Sequence, residues 1–158
     1  MKRFLGTKIL ALTLTLLVGS VAATATERPF SLNGGGLAVP ILNEAGQPIG
    51  IDVTGSGNGT HLGMFTTIGK VFFSPDPNDP TQIIPSGEAT LTAANGDKLT
   101  FVVADGSQSL VTGIGSGHFR FTGGTGRFAN ATGITSYVVE QNFLTGAYTI
   151  TCVGSIDY

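Results

Sequence analysis

The chain has 158 residues, a formal net charge of −2, one cysteine and no tryptophan. Its eight basic residues form no stripe against ten acidic ones, which excludes nucleic acid as a partner, because neutralising phosphates needs clustered Lys and Arg. The lone Cys152 cannot form an intramolecular bridge, so no disulfide framework holds the fold.

Residues 1–25 read as a secretory signal peptide. Lys2, Arg3 and Lys8 make a positive start, Ile9 to Val21 is apolar, and Ala23-Thr24-Ala25 is an Ala-x-Ala cleavage site. Val21-Ala22-Ala23 is the competing site. The apolar stretch is about 13 residues, short of the roughly 20 that a spanning helix needs. A secreted or periplasmic location follows, with no membrane attachment after cleavage. The mature domain keeps Arg28, Lys70, Lys98, Arg120 and Arg127 against all ten acids, a mildly acidic surface. Its roughly 130 residues are one domain's worth and bury about two-thirds of their surface.

Residues 26–46 carry no strong period and are expected to be an N-terminal extension. Gly34-Gly35-Gly36 would be its joint, and Leu37 to Leu42 at best a short edge strand around Pro40. From residue 47 to 158 the chain reads as one β domain. Ile49 to Thr54 is a strand and Gly55 to Gly59 a loop. Thr60 to Phe73 is a long strand with bends at Gly63 and Gly69. Pro75 to Pro80 is a surface loop, since three prolines cannot sit in a ladder. Glu88 to Ala94 and Lys98 to Ala104 flank Asn95-Gly96-Asp97, a hairpin signal that favours a type I′ turn. Leu110 to Ile114, His118 to Thr122, Ile134 to Gln141 and Ala147 to Ile156 complete the strands. No window past the signal sustains an apolar i, i+3, i+4, i+7 pattern. Short strands at regular spacing with glycine turns point to an all-β sandwich or barrel. Cys152 is in phase with Tyr148, Ile150 and Ile156, which predicts its burial.

In Thr60 to Phe73 both faces are apolar: Phe65, Val71 and Phe73 on one, Leu62, Met64, Ile68 and Phe72 on the other. A half-exposed sheet alternates more cleanly, so the outer face is expected to meet another sheet or another subunit, as in a homo-oligomer.

Residues 123–133, Gly-Gly-Thr-Gly-Arg-Phe-Ala-Asn-Ala-Thr-Gly, carry the most information. Gly123, Gly124, Thr125, Gly126, Phe128, Ala131 and Gly133 fill every defined position of Gly-Gly-[Ser/Thr]-Gly-x-Phe-x-x-Ala-x-Gly. This run resembles the segment shared by plant dirigent proteins and allene oxide cyclases. Thr60-His61-Leu62-Gly63, the Asn95-Gly96-Asp97 turn and a short final strand are also similar to small secreted bacterial proteins of that barrel type. The resemblance implies a single antiparallel eight-stranded barrel with a lumen. The reactive groups of those families come from other strands that do not align here position by position, so no catalytic residue carries over.

Gly124-Thr125-Gly126-Arg127-Phe128-Ala129 formally fits Gly-x-Gly-x-x-Gly/Ala, but a dinucleotide site needs a helix to follow and β-rich sequence follows instead. No cofactor is implied. Zinc needs three or four ligands, and the histidines are only His61 and His118. His61 shares a face with Phe65 and Phe73, from which it could reach a lumen ligand or Glu88. Its plain reading is a core or rim histidine. His118 and Arg120 share the face opposite Phe119 and Phe121; with the phenylalanines inward they are solvated, and in the opposite register Arg120 becomes a lumen cation for a ligand carboxylate. His61, Arg120 and Glu88 are thus the candidate ligand-binding residues. Asp76, Asn78 and Asp79 lack the glycine and terminal Glu of a calcium loop. No metal site is read.

Two functions compete. The preferred reading is a non-enzymatic binding or structural module, its partner a small apolar molecule or another surface. The alternative is cyclase- or isomerase-like, or dirigent-like, templating of a reactive small molecule. Small barrels either hold one small ligand or fill with side chains. What lines the lumen separates the readings.

Overall fold

The computed structural model describes residues 27–158, and the expected signal peptide lies outside them. Eight strands, each antiparallel to its sequence neighbours, close into one barrel. They are β1 (Arg28–Leu42), β2 (Pro48–Gly59), β3 (Gly63–Pro75), β4 (Gln82–Ala93), β5 (Lys98–Ser109), β6 (Ile114–Gly124), β7 (Ile134–Gln141) and β8 (Ala147–Ile156). The closing ladder runs from Arg28↔Ile156 to Leu37↔Ala147, which leaves no free strand edge. The expected all-β single barrel is the observed fold.

The barrel starts at Arg28 rather than at residue 47. The expected extension is a full strand between β2 and β8. Glycines hide it from a reading by hydrophobic period. Inward positions of β1 and β2 include Gly34, Gly36, Gly55 and Gly57, and aromatic side chains from other strands lie over Gly34, Gly55 and Gly57. A Cβ on Gly57 would come within 2.8 Å of the Phe65 ring, and one on Gly55 within 2.5 Å of the Tyr148 hydroxyl. Gly34-Gly35-Gly36 is therefore strand, and so is Gly55 to Gly59, which was expected to be a loop.

Two other local expectations change. Leu110 to Ile114 is largely the β5–β6 turn, because β5 continues to Ser109. The Asn95-Gly96 hairpin is not type I′. Gly96 N–H donates to the Ala93 carbonyl at 2.9 Å, which makes Ala94 and Asn95 the central residues. Asn95 keeps a negative φ and only Gly96 is left-handed, at +88°. This is the three-residue connection, a type I turn completed by a left-handed glycine.

Up-and-down topology puts the β2–β3, β4–β5 and β6–β7 connections at one end with Arg28 and Ile156, and the other turns at the opposite end. The glycine-rich run plugs the first end. A Cβ on Gly124 would collide with the Lys98 carbonyl. Thr125 bonds Lys98 twice, its N–H donating to the carbonyl at 2.8 Å and its hydroxyl accepting from the N–H at 2.9 Å. Gly126, at φ +57°, opens the short 3-10 helix Gly126–Phe128. That helix sets Phe128 into the barrel with no exposed surface, edge-on to Tyr158 at 5.0 Å between ring centroids. Phe30, Leu99, Phe121 and Ile156 belong to the same buried cluster. The run is thus a structural plug.

Candidate functional site

Burial falls along the lumen. Phe30, Leu99, Phe128 and Ile156 at the plugged end are at most 2 % exposed. Toward the other end Val53, Val71, Phe73, Val139 and Ile150 point inward by strand parity yet are only half-buried. An inward side chain is exposed only through the lumen, so the lumen reaches solvent at the end away from Phe128. There it holds a cavity of about 120 Å³. A water needs roughly 10–15 Å³ on such a measure, so the cavity exceeds a single water site several-fold.

One wall is aromatic. Phe119 stacks on Tyr137 at 4.1 Å and 9° between ring planes, and Phe101 tilts against Phe119 at 4.5 Å. Ile51, Val53, Val71 and Ile150 supply aliphatic surface. The polar groups are neutral over most of the wall. Gln108, only 5 % exposed, donates from its amide to the Gly113 carbonyl at 3.0 Å and to Gln141 Oε1 at 3.2 Å. The Tyr148 hydroxyl donates to the Thr54 carbonyl at 3.5 Å. Burial, then the Asp105 carboxylate, pushes the Tyr137 hydroxyl up to about 12. Burial pushes the Cys152 thiol, which also lines the cavity, up to about 12 against a hydrogen bond with Thr135. Both groups are protonated at neutral pH, and Cys152 is buried as expected.

The three candidate residues are not brought together. His61 lies in the β2–β3 turn, not on a strand, and its φ of +63° breaks the parity that would have turned it inward. Its Nε2 is 3.0 Å from the Pro29 carbonyl and its ring meets Tyr158 edge-on at 5.6 Å, so it ties the plugged end together from outside. Arg120 is exposed on the outer wall because Phe119 and Phe121 take the inward positions. Glu88 borders the cavity, but it is exposed and stands in the cross-strand row of Lys70 and Asp52. That row is external, with Lys70 Nζ 2.5 Å from Asp52 Oδ1.

A second polar row crosses the outer wall. Asp105, His118 and Ser136 are direct cross-strand partners, and His118 Nδ1 lies 2.8 Å from Asp105 Oδ1. These types could serve a nucleophile and its base, but the row lies outside the cavity on exposed sheet. In the proline loop, Asp76 and Asp79 accept from the backbone of Asn78 and Thr81, at 2.8 Å and 2.9 Å. These carboxylates stabilise their own turns.

Tyr137, Gln108, Gln141 and Tyr148 are the lumen's polar groups that the sequence reading passed over. Tyr137 and Gln141 share a phase with Thr135 and Val139, which was the available signal.

No family model and no curated protein matches this sequence. Among solved structures, the barrel is similar to that of the pterocarpan synthase dirigent protein, at a TM-score of 0.50 and 12 % identity, covering 84 % of this chain and 86 % of that chain. The fold is dirigent-like. At that identity the likeness is one of architecture, and function has to be argued from the residues of this dirigent-like barrel.

Proposed function

We propose that this dirigent-like barrel is a secreted, non-enzymatic binding module that takes one small, neutral, largely apolar molecule into its lumen. The observation that carries the reading is the cavity between Tyr137 and Tyr148, walled by aromatic and aliphatic side chains, with neutral hydroxyls and amides as its inward polar groups. An apolar molecule gains by leaving water for such a site. An anionic one loses its hydration and gains no counter-ion. Titration with toluene, followed by the methyl resonances of Ile51, Val53, Val103 and Ile150, tests this. Saturable shifts with toluene and none with benzoate are expected; no saturable shift with toluene refutes the reading.

The second reading is templating of a reactive molecule in the same lumen. It is favoured by the similar solved structure, that of a synthase. Recovery of a bound natural molecule unchanged supports the binding module, and its recovery as an isomer supports templating. Exposed Met64, Ile68 and Phe72 along β3 support the further proposal that copies of the chain associate. Ile68→Lys should then lower the mass seen by sedimentation equilibrium, and a monomeric parent protein would dispose of it.

A further inference from the structure

The lumen's polar groups differ in how they are satisfied. Gln108 uses its amide on Gly113 and Gln141, and the Tyr148 hydroxyl has the Thr54 carbonyl. Tyr137 is different. It is 5 % exposed, and among the described residues its hydroxyl has no acceptor. The one side-chain oxygen there that is both unpartnered and sealed from solvent is Asp157 Oδ1, so the Tyr137 oxygen is not sealed, and Tyr137 lines the cavity. Gly106 makes the room for it. This residue sits just past the irregularity between Val103 and Asp105 in β5, and a Cβ there would collide with the Tyr137 hydroxyl. A largely buried donor with no protein partner leaves free energy to be recovered by whatever supplies an acceptor.

Building on the lumen-binding reading, we infer that Tyr137 is the hydrogen-bond donor that selects the ligand, and that the ligand is a neutral, single-ring-sized molecule bearing a carbonyl-type oxygen. The ring lies along Phe101, Phe119 and Tyr137, where aromatic faces offer stacked and edge-on contacts. The oxygen accepts from the Tyr137 hydroxyl. Burial keeps that hydroxyl protonated at neutral pH, so it donates. A carboxylate ligand is disfavoured, since the Asp105 and Glu88 carboxylates stand close to this lumen and Arg120 is on the outer wall.

Acetophenone and isopropylbenzene are matched in shape and differ in the carbonyl oxygen. Their affinities are measured by calorimetry on the mature chain and on Tyr137→Phe, which keeps the ring. The expected result is acetophenone bound about fivefold more weakly by the variant, the worth of one neutral hydrogen bond, with isopropylbenzene unchanged. Equal effects on both probes, or none, overturn the assignment of Tyr137 while leaving the lumen-binding reading in place. Failure of both probes to bind the parent protein overturns both. The parent protein also gives a direct readout in the infrared carbonyl stretch of bound acetophenone. A stretch below the value in an alkane is expected, and one at the alkane value overturns the inference.

Discussion

Replacing Phe128 by alanine tests the plug. The ring is wholly buried, so its full transfer term is lost, about 1.5–3 kcal/mol. The space left behind adds to that, because its surroundings are pinned. Tyr158 is held by a cation–π contact with Arg28 at 4.6 Å, and the Thr132–Asp157 bridge fixes the backbone beside it with two bonds of 2.9 Å. Such a site collapses poorly, and Phe→Ala at such sites costs about 3–5 kcal/mol. With an unfolding entropy near ~2.1 cal/mol/K per residue over roughly 130 residues, a loss of ~4 kcal/mol lowers Tm by roughly 15 °C. Arg127→Ala is the control. Its Nε is 3.7 Å from Asp97 Oδ2 and the side chain is 43 % exposed, so a surface pair worth about 0–1 kcal/mol is at stake. Urea unfolding followed by far-UV circular dichroism measures both variants. A Phe128→Ala variant within about 1 kcal/mol of the parent, or an Arg127→Ala variant equally damaged, refutes the plug.

Gly96→Val forces a branched side chain into the left-handed region and should cost about 1–2 kcal/mol, more than Asp76→Ala, which removes one turn hydrogen bond; equal unfolding midpoints would contradict this. Cys152 and Tyr137 are held near 12 against ordinary values of 9 and 10, so the unfolded chain releases these protons first. Their stabilisation is whole below pH 9 and is lost as pH rises from 9 to 12. The urea midpoint should fall across that window, and less steeply in a Cys152→Ala, Tyr137→Phe double variant; parallel profiles would argue against their burial. Exported protein should begin at Thr24 or Thr26, and mass spectrometry showing residues 1–22 retained would reject secretion by cleavage.

Most strands were legible because the chain marks its turns with glycine, proline and asparagine, and because residues 147–152 alternate without interruption. β1 was not. A hydrophobic period records side chains, and at Gly34 the inward surface comes from Phe65 on another strand. The same exchange made a loop of Gly55 to Gly59. In both cases glycine reports close approach by a ring, and only the partner's position shows it. Phe128 was easier to read. Its run meets three constraints at once: a left-handed residue at 126, a backbone crossing at Gly124, and one large side chain to bury.

The site failed to appear for a different reason, and it lies in β5. Phe101 and Val103 point inward, and continuing their alternation would place Gln108 outside. The irregularity between Val103 and Asp105 shifts the phase, so Gly106 and Gln108 turn inward and Asp105 goes to the outer wall beside His118. One inserted residue thus sends a carboxylate out, brings an amide in, and opens the space above Gly106 that the Tyr137 hydroxyl occupies. His61 misleads in the same way, since its left-handed turn ends the parity counted from Phe65. Bulges and left-handed turns redirect side chains, and the sequence marks them only by glycines or by a local conformation. Charged residues are the natural first choice for function, yet in this barrel they lie on the wall or at its end. The lumen's chemistry belongs to two tyrosines and two glutamines that a reading by charge passes over.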